Sequence, residues 1–361
     1  MTPLKKQRKR SSDRVTLGDI ARYCNISKAT VSRVLNDKLN EFPVSEEMVQ
    51  RVKIAAQQLG YRPNRLAKAV RSMRTNLIGL SFIHIDYASL TPDQIADENL
   101  VMGQFTNIIL SHPGFEEFDL VIHDRHEDSA SPLRERDFKT DLLDGMIYLT
   151  PSEDHAELLD VASAEFPIVL LGHTPAAEKK IPCIDINNRK AGQMAVNHLI
   201  ETGRTSIMML IPEKLQHIQC IQDRCAGYQD ALRRHNLPVT SEYIRTVRCI
   251  PEAVDLFMRE LRCLQEIDAI FCPSDELAAL CLRSLQALGK KIPEEIALVG
   301  FNNSPIAEHT TPPLSSVHWP IEAQANAAID LLLKILKKEI PYEPGFHEIE
   351  TTLVIRESSV K

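Results

Sequence analysis

Residues 16–36 read Thr16-Leu-Gly-Asp-Ile-Ala-Arg-Tyr-Cys-Asn-Ile-Ser-Lys-Ala-Thr-Val-Ser-Arg-Val-Leu-Asn36. Thr16 is placed to cap a helix, and Asp19 puts an acid at that helix's positive end. Ile20 and Ala21 form a small apolar face. Asn25 and Ile26 interrupt the pattern as a short turn, and Ser27 caps a second helix beginning at Lys28. Val31, Val34 and Leu35 recur at helical spacing and face inward. Lys28, Thr30, Ser32, Arg33 and Asn36 are left outside. The spacing predicts two short helices about a tight turn, with phosphate and base donors on the second: a helix-turn-helix. A solvated helical hairpin is the alternative reading of so short a stretch.

Charge around this stretch favours the first reading. Residues 1–74 hold 17 Lys and Arg against 6 Asp and Glu, a net of +11, in a chain whose whole charge is −7. A basic head on an acidic body points to a polyanionic partner for the head. Nucleic acid fits better than a membrane surface, because the head lacks a basic amphipathic helix with a lipid-facing stripe. The chain has 361 residues, room for two or three domains, and its hydrophobic share of 43% is that of a globular protein. The cysteines, Cys24, Cys183, Cys220, Cys225, Cys249, Cys263, Cys272 and Cys281, form no C-x-x-C and read as small buried hydrophobes of a reducing cytoplasm. No apolar run is long enough to span a membrane, and Lys5–Arg10 has no apolar stretch behind it, so no secretory signal is expected.

Beyond the loop from Asp37 to Pro43, Ser45 with Glu46 and Glu47 opens a third helix, carried by Val49, Val52, Ala55, Ala56 and Leu59 and ended by Gly60. Three such helices have a core that is marginal alone. Arg65–Arg71 makes at most two helical turns and reads as a hinge that folds on a surface. From Asn76 strands and helices alternate. Strands are predicted at 77–85, 118–123, 145–149, 168–171, 183–186, 206–211, 269–272, 297–301, 314–319 and 348–356. Helices are predicted at 156–164, 191–202, 225–235, 253–264, 276–288 and 321–337. Alternation of this kind implies parallel sheets with helices on both faces, and a stretch this long implies two lobes. Ligands of such sheets sit at the carboxyl ends of the strands, here the cleft between lobes.

These residues resemble the lactose/galactose repressor (LacI/GalR) family of bacterial transcription regulators. The resemblance rests on Val15-Thr-Leu-Gly-Asp-Ile-Ala21, Ser27–Asn36, Leu59-Gly-Tyr-Arg-Pro-Asn64 and Leu66-Ala-Lys-Ala-Val70 in the head. It continues in order through Asp144-Gly-Met-Ile147, Asp223-Arg-Cys-Ala-Gly-Tyr228, Ser274-Asp-Glu-Leu-Ala278, Ile296-Ala-Leu-Val-Gly-Phe301, Pro312-Pro-Leu-Ser-Ser-Val317 and Leu353-Val-Ile-Arg-Glu-Ser358. The fold expected is an all-α helix-turn-helix head-piece followed by an α/β core of two doubly wound parallel-sheet lobes, like periplasmic binding proteins. The boundaries expected are a basic arm over 1–14, the head-piece over 15–63 and a hinge over 64–74. One core lobe is expected from 75–174 with 316–340, the other from 175–315 with 341–361.

By resemblance the protein is a homodimeric, non-enzymatic repressor of the bacterial cytoplasm, working at the nucleoid. It binds near-palindromic double-stranded operator DNA and a small, carbohydrate-type effector, with no cofactor, metal or membrane. Lys28, Ala29 and Arg33 would face base edges, with Arg33 suited to a guanine. Ser27, Thr30, Ser32 and Asn36 would hold phosphates. Leu66, Ala67 and Val70 of the hinge would lie in the minor groove, Val70 as an apolar wedge. Arg224, Ser274, Asp275 and Asn302 would face the effector.

Four departures matter. The wedge is usually Leu, and Val70 gives up one methylene, about 0.8 kcal/mol of burial. The loop from Asp37 to Pro43 is longer than usual, and the usual Asn-Pro-Phe-Phe after the first core strand is replaced by Asp86-Tyr-Ala-Ser-Leu-Thr-Pro92. The usual cleft Asp is Asn302, so the Arg224 fork meets no repelling carboxylate there and suits an anion as well as a vicinal diol. Two other classes compete: a two-lobe solute-binding protein, which leaves the basic head unexplained, and an enzyme. The chain has no G-x-S-x-G, P-loop, H-E-x-x-H or G-x-G-x-x-G, and His84, His123, His173 and His217 are scattered as satisfied surface or core histidines.

Overall fold

The computed structural model describes residues 15–35, 44–61, 69, 74–81, 92–123, 142–149, 166–261 and 265–360, with the side chains of 92–100 and 123 excepted. The chain divides into two compact units, up to Thr75 and from Asn76.

In the first unit, α1 (Leu17–Cys24), α2 (Lys28–Leu35) and α3 (Glu46–Gln58) enclose a small core. Ile20, Ala21, Cys24, Val31, Val34, Val52, Ala55 and Ala56 are buried in it. Their smallness lets short helices pack closely, and it leaves capping to secure the ends. Asp19 Oδ2 accepts from the Thr16 backbone N–H at 2.8 Å and from its hydroxyl at 2.7 Å. Those two bonds hold the Asp19 carboxyl below the usual aspartate range. Asn25 takes a left-handed φ of 51°, which turns the chain between α1 and α2. The Ser27 hydroxyl accepts from the Thr30 N–H at 3.0 Å and starts α2. The Ser45 hydroxyl does the same for α3, accepting from the Met48 N–H at 3.4 Å.

The second unit holds two six-stranded sheets. The first runs β11 (Gly345–Ile349), β5 (Pro182–Ile186), β4 (Ile168–Leu171), β3 (Gly145–Leu149), β1 (Leu77–Ser81), β2 (Asp119–His123), all parallel. The second runs β12 (Leu353–Val354), β10 (Ser315–His318), β9 (Ala297–Asn302), β8 (Ala269–Phe271), β6 (Ile207–Pro212), β7 (Ile244–Val247), with β12 alone antiparallel. The central strands are apolar on both faces. In β6, Met208 and Leu210 join one core while Ile207, Met209 and Ile211 join the other. Helices α4 (Pro92–Ser111) and α10 (Ile321–Leu336) cover one face of the first sheet through Phe105, Ile109, Ile329 and Leu332. Around the second sheet, α5 (Asn188–Glu201) and α6 (Gln219–Arg234) pack on one side, and α7 (Pro251–Glu260) and α8 (Asp275–Ala287) on the other. A short α9, Pro305–His309, follows β9.

The chain passes between the sheets after β5, after β10 and after β11. This redraws the expected division. Pro182–Ile186, placed with 175–315, pairs in the first sheet, and Ser315–His318, placed largely with 316–340, pairs in the second. The expected strand at 348–356 is two strands: Gly345–Ile349 lies parallel to β5, and Leu353–Val354 antiparallel to β10. One continuous strand cannot pair in both sheets, so Glu350–Thr352 carries the chain across. The helices α4 and α9 and the strand β7 escaped prediction, β7 because its Ile-Arg-Thr-Val is a half-exposed edge without a clear apolar run. The predicted helix at 156–164 lies outside the described residues.

Helices α5 and α6 approach backbone to backbone. A Cβ at Gly192 would strike the Arg224 carbonyl, and one at Gly227 the Arg189 carbonyl. Only glycine allows this spacing, which carries α6 and Arg224 down against α5. Gly227→Ala is expected to destabilise the second unit by about 1–3 kcal/mol, the cost of overpacking, seen as a lowered thermal midpoint of unfolding. An unchanged midpoint would show that the helices separate freely.

Candidate functional site

On the first unit, Ser27, Lys28 and Ala29 are exposed at the start of α2, and Thr30, Ser32 and Arg33 are half-buried along it. Ser27 is not a free donor: its hydroxyl caps α2 and lies 2.8 Å from the Thr30 hydroxyl. The α2 surface therefore presents the start of a helix, where N–H groups and dipole favour a phosphate, followed by cationic side chains on Lys28 and Arg33. Asn36, Leu66, Ala67 and Val70 lie outside the described residues, as do the basic arm, the loop at 37–43 and the segment at 86–91.

The second cluster lies at the carboxyl ends of β5, β8, β9 and β10. Helix α6 begins six residues before the predicted Cys225, which moves Arg224 from a helix start into the second turn. Arg224 is buried. Its Nε donates to Asn188 Oδ1 at 2.9 Å and its Nη1 to the Pro273 carbonyl at 2.9 Å. Its guanidinium carbon stands 3.5 Å over the Phe301 ring. A cation held by an aromatic face and fixed acceptors is pre-set in direction. Burial lowers its pKa, opposed by Cys220 and the carboxylates Asp185, Asp275 and Asp223.

Ser274 and Asp275 are engaged internally. The Ser274 hydroxyl caps α8, accepting from the Leu277 N–H at 3.3 Å. Asp275 has no exposed surface; it accepts from the Ser316 hydroxyl at 2.6 Å, the Ser304 N–H at 2.7 Å and the Ser304 hydroxyl at 3.1 Å. Gly300 admits it, since a Cβ there would strike Asp275 Oδ1. Burial pushes the Asp275 carboxyl up to about 6, against the bonds from Ser316 and Ser304, which lower it. Asn302 ends β9 with a left-handed φ of 104°, and its carbonyl accepts from the Trp319 N–H at 3.1 Å. Its side chain is half-exposed beside this cluster.

Sequence reading passed over the residues that bind the cluster together. Asp185 is buried at the end of β5. It accepts from the Ile186 N–H at 2.8 Å, Asn188 Nδ2 at 3.0 Å and Gln324 Nε2 at 3.2 Å. Gln324 Oε1 in turn accepts from Trp319 Nε1 at 2.6 Å. His173, assigned to a scattered set, follows β4 with Nδ1 3.3 Å from Asp185 Oδ2 and Nε2 3.8 Å from Asp223 Oδ2. Burial disfavours its protonation, but the Asp185 bond and the charges of Asp185, Asp223 and Glu178 outweigh burial and raise its pKa. The signal was present in Pro182-Cys-Ile-Asp-Ile186: a charge inside an apolar strand needs partners. A cavity of about 550 Å³ lined by Pro167, Ile335 and Tyr342 lies at the opposite, amino end of β4 and shares no residue with this cluster.

Comparison with known proteins agrees with both units. The pattern of the lacI family of bacterial regulatory proteins matches residues 16–64, and that of the periplasmic binding protein-like domain matches residues 196–359. The transcriptional regulator CelR of Thermobifida fusca is 30% identical over 353 residues, covering 96% of this chain and 98% of its own. The transcriptional repressor PurR of Vibrio vulnificus is 27% identical, covering 96% and 99%. Among solved structures, a CelR–cellobiose complex is 28% identical, covers 96% of this chain and all (100%) of its own, and superposes with a TM-score of 0.66. A lac repressor dimer bound to operator shares the fold, with a TM-score of 0.78 at 20% identity and coverage of 97% and 100%. The chain belongs to the lacI family of bacterial regulatory proteins and is a transcriptional regulator with a helix-turn-helix head. The relatives named are transcriptional regulators, not solute-binding proteins or enzymes.

The Asp275 network sets a pH dependence. Its folded pKa of about 6 lies above the ordinary 3.8, so the stability it contributes is full below 3.8 and is lost as pH rises through about 6. Carboxyl ¹³C NMR is expected to show Asp275 titrating near 6, and Ser316→Ala, which removes a lowering bond, to raise that midpoint. A midpoint that stays put or falls in Ser316→Ala would disprove this account of the network.

Proposed function

We propose that this regulator represses transcription at the nucleoid as a homodimer on a near-palindromic operator. A carbohydrate-type effector in the interlobe cleft switches its affinity for that operator. The observation that carries the reading is the pairing of an exposed, cation-bearing α2 with a second unit whose buried Arg224 is held ready at the carboxyl ends of the strands. Lys28, Ala29 and Arg33 face base edges, with Arg33 on a guanine. Ser27, Thr30, Ser32 and Asn36 lie at phosphates, and Leu66, Ala67 and Val70 enter the minor groove.

Of the two ligand classes that the Arg224 fork suits, anion and vicinal diol, its surroundings favour the neutral diol. Asp185, Asp223 and Asp275 all act on it, so the cluster is not a cationic pocket even with neutral Asn302. A neutral polyol satisfies a guanidinium edge without being repelled by those carboxylates. The relative crystallised with cellobiose is consistent with a neutral sugar.

Operator fragments selected by the purified protein supply the DNA for two tests. Arg33→Ala is expected to weaken operator binding by about 1–3 kcal/mol and relax preference at one base pair per half-site. Equal losses on operator and random DNA would assign Arg33 to phosphate alone. Operator binding is also expected to weaken with salt, with a log–log slope near −0.9 per phosphate neutralised. In calorimetry against neutral sugars, sugar phosphates and sugar acids, neutral sugars are expected to bind, and Arg224→Ala to abolish that binding while operator affinity without ligand stays within a few-fold. Binding of only the anionic compounds would overturn the neutral-sugar reading, and undiminished binding by Arg224→Ala would remove Arg224 from the effector site.

A further inference from the structure

Asn188 sits between two groups of opposite demand. A carboxylate only accepts hydrogen bonds and a guanidinium only donates them. Asn188 meets both: Nδ2 donates to Asp185 Oδ2 at 3.0 Å and Oδ1 accepts from Arg224 Nε at 2.9 Å. Turning the amide over would face donor to donor and acceptor to acceptor. The carboxylate therefore dictates which end of the amide Arg224 sees. Asp185 is itself held by the Ile186 N–H at 2.8 Å and by Gln324 Nε2 at 3.2 Å, from α10 beyond the second crossing.

His173 bonds to the same carboxylate oxygen, Asp185 Oδ2. Because that oxygen accepts, the neutral ring carries its proton on Nδ1, and its Nε2 lone pair points towards Asp223 Oδ2 at 3.8 Å. Protonation places an N–H there and turns repulsion into attraction. The Asp223 charge also acts on Arg224, so a proton on His173 alters the field at the guanidinium. The charged groups facing His173 among the described residues are Asp185 on β5, Asp223 on α6 and Glu178 in the turn after β4; the Phe346 ring of β11 packs at 4.7 Å.

We propose that Asp185 is a positioning residue of the effector site: acting through Asn188 it orients the Arg224 guanidinium, and His173, bound to the same carboxylate and facing Asp223, makes that orientation respond to pH. The proposal rests on the cleft being the effector site. Its consequence is an effector affinity that changes across the titration of one histidine which need not touch the effector.

The test reads Arg224 directly, on the full chain without added ligand, by ¹⁵N NMR of arginine Nε–H groups, with Arg224→Lys identifying the signal by its loss. In wild type the Arg224 Nε–H is expected to exchange slowly, and its shift to titrate with the midpoint seen for the His173 ring, above 6.5. In Asp185→Asn that N–H is expected to exchange at least about tenfold faster, as the loss of a hydrogen bond to a charged group implies, and the His173 midpoint to fall. The paired variant Asp185→Asn with Asn188→Asp restores the donor–acceptor order and is expected to recover slow exchange, which loss of packing alone would not allow. An Arg224 signal unmoved by Asp185→Asn overturns the proposal. So does a wild-type Arg224 signal that stays flat while His173 titrates, a measurement that stands even if Asp185→Asn fails to fold. Since no effector is present, these outcomes are separate from the sugar-binding result for Arg224→Ala.

Discussion

A carboxylate taken out of water must be given protein donors, and Asp185 is given them from several parts of the fold. The donors come from its own strand, from the crossing segment at Asn188, from Gln324 on α10 and from His173 after β4. An isolated buried charge costs far more than any single hydrogen bond returns, so the donors cannot drift apart without exposing it. The remaining crossings are tied to the same region. Trp319 donates to Gln324 at 2.6 Å, the His318 N–H donates to the Thr352 carbonyl at 2.7 Å, and Lys190 Nζ lies 2.9 Å from Glu348 Oε1. The three passages between the sheets are thereby linked to one another through side chains and one backbone hydrogen bond.

The two units divide the electrostatic work. The head carries +11 and the rest of the chain −18, so a polyanion is drawn to one and turned away from the other. The head achieves this with a core of small residues, where the fixed ends of α1, α2 and α3 matter more than buried area. Ser27 shows the economy of that design: the residue that caps α2 also stands exposed at its start, where a phosphate would meet the helix dipole.

In the second unit, chemistry that looks available in sequence is largely committed. Asp275, enclosed by Ser316 and Ser304, fastens α8 to β10 and to the turn after β9, and Ser274 caps α8, so neither offers a free group. Arg224 keeps its charge in a buried place because Phe301, Asn188 and Pro273 hold it and three carboxylates stand near. The pK-shifted groups, His173 and Asp275, lie around it, which is where a site sensitive to its ligand and to pH is expected.

Local chemistry was enough for the elements and for the helix-turn-helix. Gly145–Leu149 and Ile168–Leu171 match their predicted strands because continuous apolar runs have only one way to be buried in a parallel sheet. Thr16 and Ser27 cap where they were expected to, because capping is decided within a few residues. The ordered motifs from Val15 to Ser358 identified the family for the same reason, each being a local requirement. What local chemistry does not carry is membership. The strands β5, β10 and β11 look alike as sequence whichever sheet they join, and hydrogen-bond pairing between distant segments placed each in the sheet that had not been expected. Arg224 stood just ahead of the helix predicted at 225–235, and its burial in the second turn of α6 follows from the close meeting of α5 and α6 at Gly192 and Gly227, which no local pattern announces. Asp185, Asn188 and His173 lie too far apart from Arg224 and Gln324 in sequence for any spacing to relate them. Only the folded chain brings their donors and acceptors within reach of one another, because hydrogen bonds act over about 3 Å and the sequence holds no measure of that distance.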